Sequence, residues 1–183
     1  GLPIYIDKVL AHNLEDMKKI IAATGQDYLI MAGSSSRYTR NIEKAKKEID
    51  TTAVRTIHGI SAVTWIRYAS HLLDGICYVF GSDVETVQNV GKDGFDIVHI
   101  CFKNGLNVVL QVITGLAHPI EFTCYSNVGQ EHYKVVFSDV KEGFSSYFVG
   151  FYRMLETFTE MVKTGKQILP LNETASVSRI VIA

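Results

Sequence analysis

The sequence lacks both familiar phosphate cradles: neither G-x-G-x-x-G nor G-x-x-x-x-G-K-[ST] occurs in its 183 residues. A nucleotide site of either type is therefore unsupported by these residues. It also lacks Cys-x-x-Cys and any close histidine pair with metal-ligand spacing, so no metal is expected. Its three cysteines, Cys77, Cys101 and Cys124, are odd in number, far apart and set in apolar stretches. That argues against a disulfide framework and for a reducing, cytoplasmic setting. No apolar run is long enough to span a membrane, and no signal peptide opens the chain. Charge of one sign is lacking too. The formal net charge is −1, so no global field draws in nucleic acid or an anionic membrane. Lys44, Lys46 and Lys47 are interleaved with Glu43 and Glu48, as on a solvated helix face.

What is present is an ordinary globular balance, 47% hydrophobic and 20% charged. Residues 3–7 read as a short buried strand. Asn13 and Asp16 have capping-box spacing before a helix striped with Leu14, Met17, Ile20 and Ile21, and Gly25 fits its C-terminal cap. Residues 28–32 read as a second strand. Gly33-Ser34-Ser35-Ser36 has the composition of a linker. A charged helix over 39–49, a strand over 54–62 and a helix over 64–80, closed by Gly81, follow. Strands are predicted over 86–90, 96–102, 107–113, 120–125 and 132–137. Asn104-Gly105 predicts a type I′ hairpin between two of them. Gly91-Lys92-Asp93-Gly94 reads as another turn. Phe148, Phe151, Tyr152, Leu155, Phe158 and Val162 follow helical spacing over 147–164, and an amphipathic segment from Thr174 reaches Ala183. The fold class this spells is α+β: a large, open, mostly antiparallel sheet with helices on one face, preceded by a β-α-β unit too small to bury its own faces. The imperfect alternation over 107–113 implies that the second face is also partly covered, by a second subunit.

Three groups of residues can carry chemistry. On the helix over 64–80, Arg67, His71, Asp74 and Tyr78 fall on one polar stripe opposite Ile66, Ala69, Leu73, Ile76 and Phe80. A histidine with a carboxylate neighbour moves protons near neutral pH; the plainer reading is a solvated face. Lys8 sits one residue past a strand, at the carboxyl end where sites in α/β units lie. It can donate to hydroxyls and face a developing alkoxide, or be a surface lysine. Ser34, Ser35, Ser36 and Arg37 follow the second strand, with Arg37 placed either to bind substrate hydroxyls or to cap the next helix.

Together these pieces resemble the glucose–fructose oxidoreductase and inositol dehydrogenase (Gfo/Idh/MocA) family. Ile6-Asp7-Lys8-Val9-Leu10-Ala11 before a capped helix is similar to the family's Glu-Lys-Pro segment. Ser36-Arg37-Tyr38 is similar to its crossing into the second domain. His71-Leu72-Leu73-Asp74, followed by Val79-Phe80-Gly81, resembles its histidine helix, and the ending from Phe158 to Ala183 resembles its closing pattern. The resemblance implies that residues 1–32 are the tail of a nucleotide-binding domain and 33–183 a substrate-binding and oligomerisation domain. It implies NAD or NADP in the complete protein, touched by Lys8, with none expected bound to this chain alone. It implies a sugar, polyol or related hydroxy substrate and a homo-oligomer formed through the sheet. It assigns proton acceptance to His71, polarisation of the substrate oxygen to Lys8, and substrate positioning to Arg37, Arg67 and Asp74.

Three departures bear on activity. Val9 stands for the proline and Asp7 for the glutamate. Arg67 and Ala69 stand where many catalytic members carry Asp and Gly, so either Asp74 substitutes or an anionic substrate is held by Arg67. The first nucleotide-binding strand and its glycine loop are missing. The alternative is a non-catalytic ligand-binding or assembly module of the same fold.

Overall fold

The computed structural model describes residues 1–183 apart from 24–27, 118–119, 129–131, 138–139 and 142–143. Gly25 and its predicted cap therefore lie outside the described residues.

The chain opens with strand β1 (Ile4–Asp7), helix α1 (Leu14–Ala23) and strand β2 (Ile30–Gly33). β1 and β2 pair in parallel, Ile4 opposite Ile30 and Asp7 opposite Gly33. Asn13 caps α1 as its spacing predicts: its Oδ1 accepts from the Asp16 N–H at 2.8 Å. The unit does borrow its cover. Met17 and Ala32 pack with Ala175 on one side, and Met31 packs with Met154, Met161 and Leu169 on the other. Those partners come from two late helices, α4 (Ser146–Thr164) and α5 (Leu171–Ile182), and, for Leu169, from the segment between them.

Gly33 to Ser36 is no linker. Ser34, Ser35 and Ser36 are buried, and a 3-10 turn runs from Ser35 to Tyr38. Small side chains are what let the backbone enter this corner; a Cβ on Gly150 of α4 would stand 2.6 Å from the Ser35 carbonyl oxygen. After α2 (Arg40–Glu48) comes β3 (Val54–Ala62). A π-helical turn (Trp65–Ala69) then leads into α3 (Ser70–Phe80). The remaining main strands are β4 (Val84–Asn89), β5 (Phe95–Phe102), β6 (Asn107–Ile113), β7 (Glu121–Ser126) and β8 (His132–Val136). Two short strands, Val140–Lys141 and Phe144–Ser145, pair antiparallel before α4.

The six-stranded sheet has the order β4-β5-β6-β3-β7-β8. Only β3 and β6 pair in parallel; the other neighbours are antiparallel. One face carries the core. Ile57, Val98, Ile100, Val108, Leu110 and Phe122 point into it and meet Ile42 and Ala45 of α2, Leu72, Leu73 and Ile76 of α3, and Val177 and Ile180 of α5. The predicted hairpin between β5 and β6 exists, but not as type I′. Among the described non-glycine residues only Val63 has positive φ, so Asn104 does not adopt that turn. Gly105 alone is left-handed, at φ 86, and Phe102 N–H donates to the Leu106 carbonyl, as in a three-residue loop with a glycine bulge.

Two expected helix faces are different. The π turn adds a residue to the first turn of the histidine helix and rotates Ile66 outward, where it is 58% exposed. In α4 most of the expected apolar stripe faces away from the core: Phe148, Phe151, Tyr152, Leu155 and Val162 are exposed, Phe158 packs half-buried against Tyr5, and Met154 and Met161 are buried. The side that docks is the one Gly150 makes thin, because only there can the helix reach the Ser35 turn.

Candidate functional site

Four elements meet at the carboxyl ends of β1 and β2. Lys8 follows β1, Ser34 follows β2, the π turn supplies Arg67 and Tyr68, and His71 is the second residue of α3. The Lys8 Nζ donates to the Arg67 carbonyl at 2.7 Å and lies 5.4 Å from the centre of the Tyr68 ring. The His71 ring meets Tyr68 edge-on at 5.3 Å. The Lys8–Val9 peptide bond is cis. Lys8, Tyr68 and His71 thus form one half-buried cluster, with a small cleft beside it lined by Lys8, Ser34, Ser70 and Ser178.

The polar stripe expected on the histidine helix does not form a solvated face. Arg67 is exposed, His71 and Tyr78 are half-buried, and Asp74 is 1% exposed. Asp74 does not touch the imidazole. Its Oδ1 accepts from Arg37 Nε at 3.0 Å and from Arg37 Nη2 at 2.5 Å, and its Oδ2 accepts from the Ser34 backbone N–H at 2.7 Å. Arg37, itself 2% exposed, also donates to Glu173 at 3.1 Å. Burial works against the Arg37 charge, but Asp74 and Glu173 outweigh it and raise its pKa. Arg37 and Asp74 are therefore spent on each other, and a buried pair of this kind leaves a costly uncompensated charge if either partner is removed. Sequence spacing brought Arg37 and Asp74 to the site's neighbourhood, but as the clamp beneath it. Arg67 stands at its rim.

What holds His71 is a pair of serines. His71 Nδ1 is 2.6 Å from Ser34 Oγ, and Ser34 Oγ is 2.5 Å from Ser36 Oγ. Their only trace in the sequence is three successive serines at the end of a strand, a composition that signals a loop equally well. Burial, with help from the charge on Lys8, pushes the His71 pKa down to about 4. Burial also lowers the Lys8 pKa, against the pull of Asp7. The imidazole is thus neutral near pH 7, and no described residue hydrogen-bonds its Nε2. Chemically, the cluster sets a neutral imidazole nitrogen beside an ammonium group: the nitrogen can take a proton from a hydroxyl, as a weaker base than an ordinary histidine, and the ammonium can steady the oxygen left behind.

Of the residues at this corner, the resemblance assigns contact with a nicotinamide to Lys8, which follows β1. The described backbone has the β-α-β unit but no glycine-rich turn to take a pyrophosphate, so these residues do not by themselves fit a dinucleotide.

No protein-family profile matches the sequence, and no curated protein sequence is similar to it. Solved structures do match. A myo-inositol 2-dehydrogenase from Lactobacillus plantarum superposes with TM-score 0.79 at 13% identity, over 99% of this chain and 69% of that one. A dehydrogenase (MviM) from Clostridium difficile gives TM-score 0.76 at 14% identity, over 99% and 70%. A scyllo-inositol dehydrogenase from Lactobacillus casei, solved with NAD(H) and scyllo-inositol, gives 0.75 at 11%, over 100% and 70%. The chain therefore has the fold of these dehydrogenases across its whole length, as the order of its motifs implied.

Proposed function

We propose that residues 33–183 are the substrate-binding and assembly domain of an NAD(P)-dependent oxidoreductase acting on a sugar, polyol or related hydroxy compound, and that residues 1–32 belong to its nucleotide-binding domain. The observation that carries this reading is the placement of His71 beside Lys8 at the carboxyl ends of β1 and β2, in a fold shared with inositol dehydrogenases. The nicotinamide would accept hydride. His71 takes the hydroxyl proton on Nε2, and the Lys8 ammonium faces the substrate oxygen as negative charge builds on it. Lys8 would also touch the cofactor, as the resemblance implies. Arg67 stands at the rim, able to meet an anionic or hydroxyl-rich substrate. Arg37 and Asp74 act beneath the site by fixing Ser34.

A second reading is favoured by one observation: no described carboxylate touches the His71 ring, and Arg67 stands where many catalytic members carry aspartate. On that reading the cleft binds a sugar-like ligand without turning it over. The two separate on the protein made from its complete reading frame. Removing a general base costs on the order of 10²–10⁴-fold in rate. His71→Ala is expected to lower polyol-dependent NAD(P) reduction by that order while the protein stays folded. Undiminished activity would end the assignment of His71.

A further inference from the structure

We infer that Ser34 and Ser36 form a one-way hydrogen-bond relay that fixes His71 as its Nδ1–H tautomer and leaves Nε2 as the proton-accepting nitrogen, in place of a carboxylate partner. The inference rests on the reading of His71 as the base. It follows from counting protons.

Ser36 Oγ lies 2.8 Å from the His71 backbone carbonyl, and a carbonyl can only accept, so the Ser36 proton goes there. Ser36 Oγ is then free only to accept. Its 2.5 Å contact with Ser34 Oγ must carry the Ser34 proton. Ser34 Oγ has now given its single proton and has two acceptor positions left. One takes the Ser36 N–H at 3.1 Å. The other faces His71 Nδ1 at 2.6 Å, and that contact is attractive only if the imidazole supplies the proton. Both hydroxyl protons and both acceptor positions of Ser34 Oγ are then used, and Ser36 Oγ accepts once. The reverse direction would strip the Ser36–carbonyl contact of its proton and set two oxygens against each other.

The relay is anchored. Ser34 and Ser36 are 1% and 0% exposed, and the Ser34 backbone N–H is tied at 2.7 Å to Asp74, which Arg37 holds in turn. The carboxylate thus acts on His71 at one remove, by holding the serine that holds the ring. Ser34 is a positioning residue, and the sequence position where a direct carboxylate partner would stand is released to Arg67.

The test is long-range proton–nitrogen NMR of the histidine rings in the intact, nitrogen-labelled protein, with His71 assigned by its disappearance in His71→Gln. The wild type is expected to show a protonated Nδ1 and an unprotonated Nε2. In Ser36→Ala the Ser34 proton loses its acceptor and turns to Nδ1, so the pattern is expected to invert to Nε2–H, with loss of turnover although His71 is intact. A wild-type ring protonated on Nε2, or a Ser36→Ala ring that keeps the wild-type pattern, would overturn the relay. The wild-type spectrum alone decides the point if the variant does not fold. The spectrum needs neither nicotinamide nor substrate, so the relay stands or falls apart from the dehydrogenase reading, which the His71→Ala turnover decides.

Discussion

At the scale of single residues, the histidine is the informative group. Its pKa is lowered from the ordinary 6.5 to about 4, burial being the main cause and Lys8 the second. A depressed histidine pKa means that the unfolded chain takes up a proton that the folded one refuses. The stability this contributes is complete above about pH 6.5 and is lost as pH falls toward about 4, an effect on the order of 3 kcal/mol. Urea unfolding midpoints followed from pH 7 down to pH 4 are expected to fall more steeply for the wild type than for His71→Gln. Parallel slopes would mean that the ring is solvated. Its place before Val79-Phe80-Gly81 singles this histidine out in the sequence. The surroundings that set its chemistry are not legible there: Asp74 at i,i+3 reads as its partner, while the structure gives that carboxylate to Arg37 and the ring to Ser34. Neither exchange can be read from spacing, since both join residues more than thirty positions apart.

At the scale of elements, periodicity located nearly every strand and helix but misjudged two faces. β3 and β6 have the predicted limits because each is a run rich in β-branched and other apolar residues bounded by polar turns. The histidine helix failed at its start, where the π turn breaks the 3.6 period on which the stripe was counted. α4 failed more instructively. Most of its regular apolar stripe is exposed, and the docking face is Gly150, Met154, Phe158 and Met161. Close approach to the Ser35 turn selects that face, and a missing side chain is invisible to a hydrophobic count. Gly150→Ala would put a methyl 2.6 Å from a backbone oxygen, a contact that must be relieved by moving α4. The expected cost is about 1–3 kcal/mol in chemical unfolding, as for other overpacked sites, with weakened activity because the same turn carries Ser36. An unchanged midpoint would show that α4 does not need this approach.

At the scale of the whole molecule, the β-α-β unit packs on α4 and α5, and α5 packs on the core of the large sheet as well, which places Lys8 of the first beside His71 of the second. The far face of the large sheet has no helix among the described residues. It presents Phe95, Ile97, Val109 and Ile60 among His58, Tyr125 and Gln111, with the Tyr125 ring in tilted contact with the His58 and His132 rings at 5.1 and 4.7 Å. A second copy meeting this face about a two-fold axis would cover it with its own equivalent, so the sheet is proposed to build a dimer or larger closed assembly. Light scattering at high concentration is expected to show that assembly, and Val109→Glu to break it; a wild-type monomer would contradict it. On the proposed function, a hydroxyl compound at the Lys8–His71 corner gives up a hydride to the nicotinamide and a proton to His71. The most direct measurement is NAD(P) reduction by the protein from its complete reading frame against a panel of inositols, sugars and polyols, wild type beside His71→Ala. Turnover of at least one of these compounds is expected, with its loss in His71→Ala; a wild type that reduces no cofactor with any of them, or a variant that matches it, would rule the dehydrogenase function out.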